Sequence, residues 1–95
     1  MIQILLADDH AIIRRGLRGI LETHDGWHVC GEAATNGREA VELAVALKPD
    51  VVVLDWSMPE LNGLEAAKQI HAALPETEML IFTMHESEEL IREVG

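Results

Sequence analysis

The chain has 95 residues, 17 acidic against 7 basic, and a formal net charge of −10, which bounds it to one small globular unit with a single modest core. No basic stripe able to grip a phosphate backbone can form from these residues, and the acidity points instead to a cation or a basic partner surface. Cys30 is the only cysteine, which excludes an internal disulfide; the opening apolar run is too short for a signal peptide or membrane span, so the expected address is cytoplasmic.

Ile2 to Ala7 is an apolar run that stops on two carboxylates, Asp8 and Asp9. From His10 to Glu22, Ile13, Leu17, Ile20 and Leu21 recur at helical spacing, with Asp9 placed to cap the first turn. His24-Asp25-Gly26 breaks that pattern. Trp27 to Ala33 reads as a second strand, and Thr35 can cap a helix over Glu39 to Leu47, which Lys48-Pro49 closes.

Val51 to Leu54 is a third apolar run and it also halts on an acid, Asp55. Its branched residues do not alternate with polar ones, as expected of a strand covered on both faces in a parallel sheet. After Pro59, Asn62-Gly63 opens a helix to about Leu74, and Pro75 ends it. Glu78 to Thr83 reads as a fourth strand, ending on a hydroxyl. His85 to Val94 reads as a fourth helix, with Ser87 as cap and glutamates in its first turn. The order β-α-β-α-β-α-β-α with short connections predicts right-handed crossovers and a parallel α/β sheet.

Such a sheet gathers Asp8, Asp9, Asp55 and Thr83 at the carboxyl ends of its strands, where ligand sites of open α/β sheets lie. Hard oxygen donors of this kind suit Mg²⁺, which binds through one or two carboxylates and keeps several waters. With the dication present, one carboxylate is free to act as nucleophile towards a phosphoryl group.

Three motifs in register, Leu5-Leu-Ala-Asp-Asp-His10, Leu54-Asp-Trp-Ser-Met-Pro59 with Asn62-Gly63, and Ile81-Phe-Thr-Met-His85, resemble the receiver domain of two-component response regulators, most of all the NarL/FixJ-like subfamily with a helix-turn-helix output. The resemblance covers the whole chain. It implies a flavodoxin-like, doubly wound parallel sheet of strand order 2-1-3-4(-5). Asp55 is then the acceptor of a phosphoryl group from a sensor histidine kinase. Asp9 ligates Mg²⁺ directly, Asp8 acts mainly through water, and the backbone carbonyl of Ser57 completes the protein ligands. Thr83 follows the phosphoryl oxygen and moves the segment after it, so that added charge biases a two-state surface. The resemblance implies a phosphorelay acceptor that at most catalyses its own phosphorylation and dephosphorylation, not an enzyme with a separate substrate.

Receivers of this kind run to about 120 residues, an ordinary domain size, and end with a fifth strand carrying a lysine and then a fifth helix. The expectation is that residues 1–95 form a C-terminally incomplete receiver, with the fifth strand, the fifth helix and any DNA-binding domain beyond Gly95. No lysine follows Lys68. A fourth strand left as an apolar edge invites a homodimer or strand exchange. DNA contact is expected only through the missing domain, and no membrane partner is expected.

Two rivals have different chemistry. A Mg²⁺-dependent aspartyl-phosphate phosphatase needs a second acid two residues past its nucleophile, yet Ser57 stands two beyond Asp55 and His10 two beyond Asp8. A pseudo-receiver or dimerisation module would have lost an acid, and none is lost here; the absence of a lysine after Lys68 keeps that reading open. His10 and His85 flank the expected pocket and read as solvated loop histidines. His24 and His28 are split by Asp25-Gly26, against a metal pair, and Cys30 reads as a buried core residue.

Overall fold

The computed structural model describes residues 1–33, 36–55, 62–82 and 90–93. The elements are β1 (Ile2–Ala7), α1 (Ala11–Leu21), β2 (Trp27–Ala33), α2 (Gly37–Leu47), β3 (Val51–Asp55), α3 (Gly63–Ala73), β4 (Glu78–Phe82) and β5 (Leu90–Glu93). They form one sheet of order β2-β1-β3-β4-β5. The first four strands are parallel, as the alternation of strands and helices predicts.

The central strand β1 separates two packing layers because successive side chains leave opposite faces. Leu5 and Ala7 join Val52, Leu54, Ile81 and the buried faces of α2 and α3, from Ala40 and Ala44 to Ala66, Ala67 and Ile70. Ile4 and Leu6 join Val29 and Val53 on the other face, under Ile13, Leu17 and Leu21 of α1. The unalternating runs therefore have the expected cause, a strand covered on both sides.

β2 contains a register shift. Ile4 pairs with Val29 but Leu5 pairs with Gly31, so Cys30 is the extra residue of a bulge. Val29 and Ala33 are four apart and would share a face of a regular strand, yet they line opposite layers. The bulge inverts the parity of everything after it. Gly31 consequently faces α2, where an added Cβ would come within 2.7 Å of Leu47 Cδ1. Cys30 is half-buried, not part of the core as the sequence suggested, and burial pushes its thiol pKa up.

The starts of α1 and α2 also differ from expectation, while α3 opens at Asn62-Gly63 as expected. Asp9 does not cap α1: the capping position is His10, whose side chain makes no cap hydrogen bond. Asn36 caps α2 by accepting from Glu39 N at 2.8 Å, and Asn62 caps α3 by accepting from Glu65 N at 2.9 Å. Thr35 and Ser87, the expected caps, lie outside the described residues. α2 closes on Lys48, which takes a left-handed backbone (φ 50°) before Pro49.

The largest departure follows β4. The expected helix over 85–94 is replaced at Leu90–Glu93 by β5, which pairs antiparallel with β4, Ile81 opposite Ile91 and Phe82 opposite Leu90. The outer edge of β4 presents backbone donors and acceptors that need partners. Pairing supplies them, and helix propensity is too weak a preference to compete. The bare β4 edge on which strand exchange was expected is thus covered by the chain itself.

Candidate functional site

β1 and β3 run parallel with Ala7 opposite Leu54, so the next residues, Asp8 and Asp55, emerge side by side at the carboxyl edge. Both side chains are fully buried. Asp8 is fixed by a hydrogen bond from its own N–H to Ala33 O at 3.0 Å. Its Oδ1 accepts from His10 N at 2.8 Å, a turn in which an aspartate side chain replaces a backbone acceptor.

That turn swings the His10 ring over the acids. Nδ1 lies 3.0 Å from Asp8 Oδ1, 3.2 Å from Asp9 Oδ1 and 3.6 Å from Asp55 Oδ2. His10 is therefore part of the cluster at the pocket it was expected to flank, although its ring stays 55% exposed. Its pKa is raised, first by the hydrogen bond to Asp8 and then by the charge of Asp9, with burial opposing.

A second network, missed in the sequence, holds the pocket rim. Arg14 Nη1 donates to the Asp8 carbonyl at 2.7 Å, and its Nε donates to Glu32 Oε1 at 2.8 Å. Arg18 Nη1 donates to Glu32 Oε2 at 2.6 Å. The only local signal was the four-residue spacing of the two arginines on α1. Glu32 reaches them because the bulge turns it to the α1 face.

Two buried carboxylates beside a third acid are costly without opposite charge. Asp8 Oδ2 is buried with no hydrogen-bond partner among the described residues. One donor atom from each of Asp8, Asp9, His10 and Asp55 fits within 4.8 Å of the others. A buried, unpartnered oxygen in a compact set of donors, three of them carboxylates, is what a hard dication such as Mg²⁺ requires, so the residues fit that ion. Of the expected site residues, the structure brings Asp8, Asp9 and Asp55 together. Ser57, Thr83 and His85 lie outside the described residues. His24 stacks on Trp27 at 4.1 Å, and His28 Nδ1 faces Glu22 at 3.5 Å.

Residues 4–94 match the response regulator receiver domain family. The transcriptional regulatory protein YdfI of Bacillus subtilis is 42% identical over 98% of this chain and 43% of its own length. A two-component response regulator of the LuxR family from Aurantimonas superposes with a TM-score of 0.83 at 40% identity, over 90% of this chain and 61% of that one. The receiver domain of the response regulator NarL from Mycobacterium tuberculosis gives 0.81 at 34% identity, over 90% and 68%. The chain spans about two fifths of the length of the curated relatives it matches. No helix among the described residues is long and apolar enough to cross a membrane. With the parallel 2-1-3-4 sheet, the acids at its carboxyl edge and these matches in agreement, the chain belongs to the response regulator receiver domain family.

Proposed function

We propose that this chain is the phosphoacceptor of a two-component pathway, with Asp55 taking a phosphoryl group from the phosphohistidine of a sensor histidine kinase. The observation that carries the reading is the buried Asp55 carboxylate at the end of β3, set beside Asp8 and Asp9 from the end of β1. A nucleophilic carboxylate next to a dication site is the arrangement in-line phosphoryl transfer needs.

Asp8, Asp9 and Asp55, with the Ser57 carbonyl, would hold Mg²⁺. The bound ion supplies positive charge against the acids and the equatorial phosphoryl oxygens. Asp8 keeps its orientation through Ala33, His10 N and the Arg14 grip on its carbonyl. Burial keeps bulk water from the Asp55 carboxylate, which favours attack on phosphorus over solvation of the anion. In this reading the Thr83 hydroxyl follows the new phosphoryl oxygens and shifts the segment beyond β4.

The relatives named as transcriptional regulators support an output that controls transcription through a DNA-binding domain outside residues 1–95, in a cytoplasmic protein. The acidic receiver itself then makes no contact with nucleic acid.

The test is intact mass after incubation with acetyl phosphate and Mg²⁺. A single phosphoryl adduct is expected, absent in Asp55→Asn and absent when the ion is chelated. Failure to form an adduct while Mg²⁺ demonstrably binds would overturn the phosphoacceptor reading in favour of a pseudo-receiver.

A further inference from the structure

The acidic pocket is not lined by oxygen donors alone, because the His10 ring nitrogen is one of its four candidate ligand atoms. Nδ1 faces three carboxylate oxygens at 3.0, 3.2 and 3.6 Å. A ring nitrogen carries at most one hydrogen, so it can donate to one of the three and leaves the others facing it without a proton between. A metal ion bonded at about 2.1 Å to each donor separates neighbouring donors by about 3.0 Å in an octahedron and about 3.4 Å in a tetrahedron. The 3.0 and 3.2 Å spacings fall in that range and the 3.6 Å spacing to Asp55 lies just beyond it, so a single ion could bond Nδ1 and the carboxylates with small side-chain movements.

The second observation is the buried Asp8 Oδ2, which has no hydrogen-bond partner among the described residues although Oδ1 has two. The His10 backbone is pinned by its bond to Asp8, and its ring is free of capping duty on α1. Nothing else in the described structure claims the ring.

We infer that His10 Nδ1 is a metal ligand, giving the pocket a mixed nitrogen and oxygen donor set that takes first-row transition-metal dications more readily than its carboxylates alone would. The inference rests on the reading of Asp8, Asp9 and Asp55 as a dication site. Imidazole favours borderline ions over Mg²⁺, while carboxylates serve Mg²⁺ and Mn²⁺ alike.

The experiment is electron paramagnetic resonance titration of Mn²⁺ on the whole chain, with Mg²⁺ as competitor, repeated on His10→Gln and His10→Ala. His10 is more than half exposed, and far-UV circular dichroism checks that both variants fold. Spin-echo modulation from a directly bonded ¹⁴N is expected in the wild type and is lost in both variants. The preference for Mn²⁺ over Mg²⁺ is expected to fall by about tenfold in the variants. Bound Mn²⁺ without ¹⁴N modulation would overturn the inference. So would variants that bind both ions more tightly and equally, because His10 is then only a counter-charge that the ion displaces. If the wild type binds neither ion, the dication-site reading itself fails. The Mg²⁺-dependent phosphoryl adduct on His10→Gln, read separately by mass, shows whether the Asp55 reading stands when the His10 inference does not.

Discussion

Arg14 joins the candidate site to the packing of α1, and Arg14→Ala measures how much that junction contributes. Every residue of α1 keeps some exposure, so apolar burial anchors this helix less firmly than α2 or α3. Arg14 is 17% exposed and Glu32 25%. Hydrogen bonds to charged groups contribute about 1.5–3 kcal/mol each when well buried, while exposed ion pairs contribute about 0–1 kcal/mol.

The bond to the Asp8 carbonyl lies at the sheet edge and should contribute about 1 kcal/mol. The bond to Glu32 contributes about as much, reduced because Arg18 still holds the other oxygen of Glu32 after the substitution. The expected loss is about 2 kcal/mol, or about 8–16 °C in Tm for a chain of this length. Urea denaturation followed by circular dichroism measures it, with an unchanged m-value showing that only stability moved. Arg14→Lys should recover no more than half, since one ammonium cannot reach both acceptors with a planar fork. A loss below about 0.5 kcal/mol, the size of an ordinary surface substitution, or full recovery by lysine would refute the reasoning.

Ile70 is fully buried between α3 and the sheet, and Ile70→Ala should cost about 3 kcal/mol in the same assay; Ile20, 63% exposed, should tolerate alanine within about 0.5 kcal/mol. Lys48 holds φ 50° at the end of α2, so Lys48→Gly should raise stability by about 0.5–1 kcal/mol as the left-handed penalty disappears, read as a higher urea midpoint. The Val29 N–H donated to Glu22, and then the nearby Arg18, hold the Glu22 carboxyl below its usual value of 4.5. Its stabilising share is therefore present above about pH 4.5 and lost as pH falls through the depressed folded value. Glu22→Gln should lower the urea midpoint at neutral pH, with the difference from wild type closing in acid.

Elements whose limits depend on neighbours in sequence were legible. β1 and β2 begin and end where expected because carboxylates, glycine and polar residues bound the apolar runs. Asp8, Asp9 and Asp55 were legible as one pocket because a parallel sheet brings equivalent strand ends together. β5 was not, since Leu90 and Ile91 behind a glutamate-rich stretch satisfy a helical pattern equally well. What decides between them is the hydrogen-bonding demand of β4, which no local window contains. His10 was expected to flank the pocket, but how close it comes to Asp55 is set by the register of β1 against β3, which no local window contains either.

The bulge at Cys30 shows how far one such non-local feature propagates. In a regular strand, Val29, Gly31 and Ala33 would share the α1 face and Glu32 would point toward α2. Adding one residue opposite the Ile4–Leu5 step reverses that assignment after Cys30. Ala33 then enters the α2–α3 layer, and Glu32 meets Arg14 and Arg18. Ile20 lies about 60° around the helix from Leu17, on the flank away from Arg14, and stays exposed although its spacing marks it as core. Arg14, held by Glu32, reaches back to the Asp8 carbonyl, so an irregularity in an outer strand helps to orient a carboxylate in the central one.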